Sequence, residues 1–508
     1  MKRKFRISMA WLHTWTGLIF GWLLFAVFVT GTLSYFRTEI SLWMRPELQQ
    51  AAPATHVLEV AESVLNREAR NAAFWTIRVP NKRDPTLEIG WPDSDDPALM
   101  HTRYINPFTG RILKPRDTQG GDFFYRFHFE LGLPNPWGRW IVGIATMALL
   151  ITLISGIVIH RRIFRDFFTF RPGASLVRSF LDAHNGLAVF ALPFHLMITY
   201  SGLVIFMYVY MPAGVIAAYG SDFKSFLSDI SPNFPAVEVS GRKIPLAPLE
   251  AMAEKATSQW VGGSVKTLTI HHPGDAKAVV EITRGDTDRI AAGQELMVFD
   301  GVTGTLLYHF ENKSAAAVIR HFLYGLHLGR IANLDLRCLY VLSGLTGSAM
   351  IASGLLLWSL RREDQRVSEQ TGPALVDVLN IGSIAGLINA IAVYFWANRL
   401  LPVELTQRAD WEIAFFFAGY ALAFFYATLR PPIRAWREEL ALAAFLFSMV
   451  PFLDGTPMLV FTDARLSETG WNPQGFDLCA FITGLILVWI STRIGRLAVR
   501  GKLLESSK

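Results

Sequence analysis

The chain has 508 residues, of which 51% are hydrophobic and 18% charged, and its mean hydropathy is +0.30. This composition excludes a purely soluble globular protein, and two cysteines exclude a disulfide framework or a cysteine-rich zinc site. The formal charge of +6 comes largely from basic clusters beside apolar segments, so no nucleic acid partner is expected.

Eight apolar runs are long enough to cross a bilayer, which takes about 20 residues each. They lie near 15–36, 139–160, 184–210, 337–359, 375–396, 411–429, 437–454 and 475–493. The first run follows MKRKFR without a small-residue cleavage site, which indicates a retained anchor rather than a signal peptide. Lys and Arg cluster at alternate ends of successive runs, which predicts that both termini are cytoplasmic.

Two long segments between the spans are therefore predicted to lie on the side of the membrane opposite to the termini. Each combines a helix-like stretch with strand-like residues and a strand–turn–strand motif, YINPFTGRIL at 104–113 and VFDGVTGTLL at 298–307. The predicted fold class is mainly α, a polytopic membrane protein with about eight transmembrane helices and two small α+β modules. The predicted order is helix 1 (1–36), module 1 (37–137), helices 2 and 3 with a cytoplasmic loop (138–210), module 2 (211–336), helix 4 (337–360), four further helices (375–494) and a cytoplasmic tail (495–508).

The first four apolar runs form two repeats. His13 precedes Gly31 by 18 residues in the first run, and His184 precedes Gly202 by the same 18 residues in the third. A Ser or Thr stands immediately before each glycine. The two halves of the predicted core are therefore built alike.

The second and fourth runs match in the same way. When Gly156 is aligned with Gly354, His128 falls within one residue of His327. Small residues promote helix packing in membranes, which is the simpler explanation for any one of the glycines. Four glycines in matching positions favour space between the helices for a flat group.

Histidines within membrane spans are rare and usually functional. On a continuous helix the 11 residues from His184 to His195 turn the chain by roughly 1100° and raise it by ~16 Å, so both rings face the same way at two depths. His13 lies level with His184, which predicts that these two imidazoles hold an inner haem. No C-x-x-C-H motif is present, so the haem would be held without a covalent bond.

An outer haem needs its own ligands, and the candidates are His195, His128 and His327, with His321 in reserve. A zinc or non-haem iron centre is disfavoured because no carboxylate or thiolate stands beside these positions. Arginines near them can pair with propionates or an anionic chelate, or can serve as interfacial anchors. These arginines are Arg126, Arg139, Arg320, Arg330 and Arg337.

About the first 360 residues resemble the PepSY-associated transmembrane helix family of bacterial inner membranes. The resemblance rests on WLHTWTGLIFGWLLFAVFVTG, DAHNGLAVFALPFHLMITYSG, FHFELGL, HFLYGLHLGR and the two turn motifs above. It implies four core helices that carry b-type haem, two periplasmic PepSY-like modules, and reduction of ferric iron, often in a ferric siderophore. The matching histidines are His13, His184, His128 and His327, with His195 as a further candidate ligand. The four spans after about residue 365 depart from the family pattern and contain no histidine.

No G-x-G-x-x-G fingerprint or flavin domain accompanies the spans, so electrons are expected from a separate cytoplasmic flavoprotein or from quinol. The predicted function is a haem-dependent ferric siderophore reductase, an oxidoreductase that passes electrons through two b-type haems to a periplasmic ferric chelate. Two alternatives stay open. One is a non-enzymatic regulator whose modules bind peptides, and the other is a transporter of protons or iron–siderophore in which the histidines relay protons.

Overall fold

The structure is a computed structural model, and it describes residues 3–50, 55–93, 96, 99–160, 171, 175–230, 234–235, 237–260, 262–291, 293, 295–362, 372–453 and 473–505. Most of the predicted cytoplasmic loop near 161–174, the linker 363–371 and the end of the tail at 506–508 lie outside the described residues.

The helices fall into three groups, one in each sequence repeat and one in the C-terminal part of the chain. The first half contains α1 (Arg3–Ser34), α2 (Arg37–Trp43), α3 (Val57–Glu68), α4 (Gly121–Glu130) and α5 (Trp137–Ile159). The second half contains α6 (Leu176–Phe190), α7 (Leu192–Ile205), α8 (Met207–Tyr210), α9 (Ala213–Tyr219), α10 (Phe223–Ile230), α11 (Leu249–Gln259), α12 (Ala315–Leu328) and α13 (Leu334–Leu360). The C-terminal helices are α14 (Gly372–Ile381), α15 (Leu387–Leu400), α16 (Arg408–Leu429), α17 (Pro432–Met449) and α18 (Pro473–Glu505), and a π-helical turn, Gly382–Gly386, joins the first two.

The prediction of a mainly helical, multi-pass membrane protein is confirmed, but the count of eight spans is not. Within the described residues, six helices are long and apolar enough to cross a membrane, and the pair α6–α7 can supply a seventh. The predicted span 437–454 falls on α17, which has 18 residues and places four charged side chains in its first half. Those charges are why α17 falls outside the apolar set.

The helix that carries His184 and His195 is not continuous, so the predicted alignment of the two rings on one face is wrong. α6 ends at Phe190 and α7 begins at Leu192, with a bend of 67° between them. Pro193 stands at the start of α7. Its ring cannot donate a backbone hydrogen bond and would clash with the carbonyl four residues earlier, which breaks the helix.

The two outer modules join in one eight-stranded sheet of order β4-β3-β2-β1-β5-β6-β7-β8. The strands are β1 (Phe74–Arg78), β2 (Leu87–Pro92), β3 (Met100–Ile105), β4 (Ile112–Leu113), β5 (Val265–His271), β6 (Val279–Arg284), β7 (Glu295–Asp300) and β8 (Leu306–Glu311). β1 and β5 pair antiparallel, with Thr76 opposite Thr269, so each module covers the edge strand that the other would expose. α3 and α11 pack on one face over a common apolar core.

The membrane helices pack in a matching order in both halves. α1 lies against α5 and α13, and α13 also lies against α6, while α5 contacts α7. The short helices α4 and α12 pack on α1 and α7, respectively. The two repeats therefore face each other across the core. The short helices α4 and α12 lie at the end of this core that is nearest the sheet.

Candidate functional site

Four of the predicted histidines form two facing pairs, and each pair takes one ring from each repeat. His13 on α1 faces His184 on α6, with ring centroids 6.2 Å apart and planes at 80°. His128 on α4 faces His327 on α12, also with centroids 6.2 Å apart, and planes at 43°. The first pair lies at the end of the core remote from the sheet, and the second lies at the sheet end.

The Nδ1 atom of each ring reaches an acceptor on a neighbouring helix of the same repeat. The contacts are His13 to the Thr152 carbonyl at 2.9 Å, His128 to the Val27 carbonyl at 2.7 Å, His184 to the Met350 carbonyl at 2.8 Å, and His327 to the Ser201 hydroxyl at 2.9 Å. A carbonyl only accepts, so Nδ1 carries the proton in at least three of the rings. Nε2 is then left with a lone pair that can bind a metal.

The glycines of the four Ser/Thr-Gly pairs make room for these rings. A Cβ atom would lie 2.6 Å from the His128 ring at Gly31, 3.2 Å from His13 at Gly156, 3.1 Å from His327 at Gly202 and 3.0 Å from His184 at Gly354. Val27, Thr152 and Met350, which accept from Nδ1, each stand four residues before one of these glycines. The glycines thus admit the imidazoles to the backbone of the adjacent helix.

The spacing within both pairs suits one metal held between two imidazoles. With a metal–nitrogen bond of about 2 Å and a ring centre about 1.2 Å beyond the nitrogen, two such rings have centroids about 6.4 Å apart. Both pairs measure 6.2 Å. Burial lowers the pKa of both His128 and His327. The neighbouring His128 lowers the pKa of His327 further, to about 3. Both rings are therefore neutral, as metal ligands must be.

A cavity of about 520 Å³ surrounds the His13–His184 pair, a volume typical of small-molecule and cofactor sites. Its wall is mostly apolar and includes Gly17 and Gly21 of α1 in addition to the two glycines that contact the rings. Arginines from three chain segments line it as well, namely Arg171, Arg178, Arg361 and Arg362. An apolar slot with guanidinium groups suits a flat macrocycle that bears carboxylates.

Asp182 is the carboxylate among the described residues that line this cavity. Asp182 is 9% exposed, and its carboxylate accepts two hydrogen bonds from Arg171, at 3.0 and 3.1 Å. Arg178 lies 3.3 Å from the same carboxylate. Two arginines therefore share this carboxylate, and the described lining of the cavity contains four arginines in all.

His195 and His321 lie apart from the two pairs. His195 is fully buried on α7, with its ring 6.1 Å from both Phe28 and Phe194. It lies near the Ser343 carbonyl but makes no well-formed hydrogen bond to any described residue. His321 packs against Gly293 in the loop before β7.

The predicted arginines have different surroundings. Arg139, Arg330 and Arg337 lie beside the carboxylates of Glu130, Asp286 and Glu39, respectively, and the pair of Arg337 and Glu39 is buried. Arg126 is exposed on α4, and Arg320 is half-buried on α12. Arg126 is thus the accessible cation on α4.

Sequence reasoning missed a tyrosine pair beside the His128–His327 pair. Tyr125 lies beside Tyr324, and burial together with this neighbouring phenol raises the pKa of Tyr125 to about 12. Arg37 lies over the ring of Tyr125 at 4.6 Å, and Arg330 lies over that of Tyr324 at 4.5 Å. A repeated Tyr-x-x-His spacing, YRFH and YGLH, is the signal that could have revealed the pair.

These features define a multi-pass membrane protein with two repeats that face each other and one composite sheet at one end. The chain belongs to the family described as the PepSY-associated TM region, which matches residues 10–361. It is 27% identical to an uncharacterized protein of Pseudomonas aeruginosa over 337 residues, which cover 61% of this chain and 80% of that protein. The family match ends just where the repeats end, before the C-terminal helices.

Proposed function

We propose that the protein is a di-haem b-type reductase of the bacterial inner membrane, with both termini cytoplasmic and the sheet in the periplasm. His13 and His184 would bind the inner haem, and His128 and His327 the outer haem. The observation that carries the proposal is one arrangement that occurs four times. In each case the Nδ1 atom of an imidazole makes a hydrogen bond, the ring packs against a glycine, and a second imidazole faces it. Chance packing of unrelated histidines does not reproduce such an arrangement four times.

A bound haem supplies a centre that accepts and releases one electron, and two such centres at different depths connect the two faces of the membrane. The chain's own residues fix the ligands. The hydrogen bonds at Nδ1 set the tautomer and the ring orientation of each imidazole, and they make Nε2 a better electron donor to the metal. The arginines of the inner cavity would balance the propionates, close to the side where a cytoplasmic flavoprotein or quinol delivers electrons.

The substrate proposed for the sheet side is a ferric chelate, most naturally a ferric siderophore. A ferric ion that gains one electron becomes ferrous, and the larger, softer ion is held less tightly by hard oxygen donors, so iron is released. Arg126 on α4 offers a cation to an anionic chelate near the outer pair. The tyrosine pair beside that site adds phenol groups of the kind that hydrogen-bond polar ligands.

The experiment that tests this proposal is an absorption spectrum of the purified protein, oxidised and then reduced with dithionite, with a pyridine haemochrome count. Two b-type haems per chain are the expected result. A colourless, folded preparation from haem-replete cells would instead favour the peptide-binding regulator or the transporter. Reduction of a panel of ferric siderophores by the dithionite-reduced protein then tests the substrate class.

Single variants assign the ligands. We expect His184→Ala to remove or markedly alter the inner haem signal and His128→Ala to do the same to the outer haem signal. His195→Leu is the matched control, because this residue is buried at membrane depth but lies with neither pair. Loss of a haem in the His195 variant, with both haems retained in the other two, would overturn the assignment.

A further inference from the structure

The helix α4 contacts two parts of the chain, α1 and the C-terminal helices, and uses different side chains for each. His128 points to Gly31 of α1, where a Cβ atom would lie 2.6 Å from the ring. Three phenylalanines of the same helix, Phe123, Phe124 and Phe127, are instead buried against the C-terminal helices. One helix therefore links an outer imidazole to the part of the chain that lies beyond the family match.

The contact between α4 and the C-terminal helices is an aromatic cluster. The ring of Phe123 lies 4.9 Å from that of Tyr394 on α15 and 4.9 Å from that of Phe416 on α16. The ring of Phe124 lies 5.3 Å from that of Tyr394, and that of Phe127 lies 5.6 Å from that of Phe416. Edge-to-face and tilted contacts at these distances favour specific ring orientations, in addition to the stabilisation that burial of the rings provides.

Polar contacts fix the segment that leads into α4. Thr118 donates its hydroxyl hydrogen to Glu412, and the Tyr394 hydroxyl donates to the Gly120 carbonyl at 3.0 Å. Arg408, which pairs with Glu412, also donates to the Asp117 carbonyl at 3.0 Å. Arg408 and Glu412 are fully buried, so movement of this segment would remove one hydrogen-bond partner from each of two buried charged groups.

Among the described residues, the aromatic side chains of α12, the matching helix of the second repeat, make no ring contact with the C-terminal helices. Phe322 stands five residues before His327, just as Phe123 stands five residues before His128. Phe123 is 6% exposed, whereas Phe322 is 43% exposed. Two equivalent positions thus differ in whether the C-terminal helices cover them.

We propose that the C-terminal helices position α4 and so set the orientation of the His128 ring. The inference rests on the proposed function, because it treats His128 as a ligand of the outer haem. Phe123, Tyr394, Thr118 and Glu412 are positioning residues that act through α4. Because the His128 ring packs directly against Gly31, a small shift of α4 would change the angle at which the imidazole would meet a bound iron, and hence the potential of the outer haem.

The test compares Phe123→Ala with Phe322→Ala in the full chain. Redox titration resolves the two midpoint potentials, and electron paramagnetic resonance reports the axial ligand geometry of each ferric haem. We expect Phe123→Ala to shift the outer potential and its resonance while the inner haem keeps both. Phe322→Ala is expected to leave both haems as in the natural sequence.

A second pair of variants keeps the inference testable where Phe123→Ala fails to fold. Thr118→Val removes the hydrogen bond to Glu412 at nearly constant volume and is expected to shift the outer haem alone, whereas Thr118→Ser keeps the hydroxyl and should restore the natural signal. Equal disturbance of both haems, or no change in either, overturns the inference. Absence of haem from the natural sequence is a different result, since it contradicts the proposed function itself.

Discussion

At the scale of single residues, the informative contact joins a glycine to an imidazole. The repeat indicated that glycines and histidines recur together, and it favoured a space for a flat group. The structure shows that each glycine receives an imidazole, and that the backbone carbonyl or hydroxyl beside it holds Nδ1. The spacing was visible in the sequence, but the partner of each glycine depends on how the helices pack.

Gly31→Ala tests this contact. The added methyl group would lie 2.6 Å from the His128 ring, far inside the van der Waals distance, so the ring has to move. We expect loss or a marked spectral change of the outer haem, with the inner haem unchanged. The haem count and the low-temperature absorption spectrum measure the effect.

Gly186→Ala is the matched control for that experiment. Gly186 lies on α6, two residues from His184, and no described residue has an atom within 4 Å of its Cβ position. Alanine favours a helix over glycine by about 1 kcal/mol, so this variant should keep both haems and be at least as stable. Identical behaviour of the two alanine variants would contradict the role given to Gly31.

At the scale of elements, α16 carries the most deeply buried ion pair among the described residues. Arg408 and Glu412 stand four residues apart on the helix and both are fully buried. Arg408 also donates to the Asn398 carbonyl, which belongs to α15. This pair therefore joins α15, α16 and the segment before α4.

Arg408→Met is expected to lower the free energy of unfolding by about 3–5 kcal/mol, because it leaves the Glu412 carboxylate buried and without its cation. Thermal unfolding in detergent measures the change. The exposed pair of Arg430 and Glu438 provides the control, since Glu438→Gln should cost no more than about 1 kcal/mol. A larger loss in the control than in Arg408→Met would refute this account.

The bend between α6 and α7 is another property of an element. Pro193 was visible in the sequence, and its missing N–H is sufficient reason for a break. Hydropathy alone gave a continuous span through it, because residues 186–194 are all apolar. The bend removes the equivalence of His184 and His195, so only one of them faces a second imidazole.

At the scale of the whole molecule, one sheet ties the two repeats together outside the membrane helices. Its central pairing, β1 with β5, joins segments almost 200 residues apart in the chain. The sequence showed two similar modules but contained no signal that they share a ladder. Backbone hydrogen bonds between strands do not depend on side-chain identity, so their partner is decided by which edges meet.

A disulfide tests the shared sheet. With Cys338 and Cys479 replaced by serine, Thr76→Cys and Thr269→Cys should form a cross-link on mild oxidation, because directly paired strand residues have suitable Cα separations. Mass spectrometry of the digested protein detects the linked peptides. Thr102→Cys with Thr269→Cys is the control, since three strand spacings of about 4.7 Å separate these positions and no link is expected. Absence of the first link, or equal yield of both, would count against the composite sheet.

The sequence by itself determined the helical membrane class, the two repeats, the family and the set of histidines, because each of these follows from local composition or from spacing along the chain. Tertiary structure decided the rest. It paired His128 with His327 and separated His195, since a facing partner is a relation between helices that are far apart in sequence. It also placed the C-terminal helices against α4, a contact between aromatic side chains that no periodicity along a single strand or helix encodes.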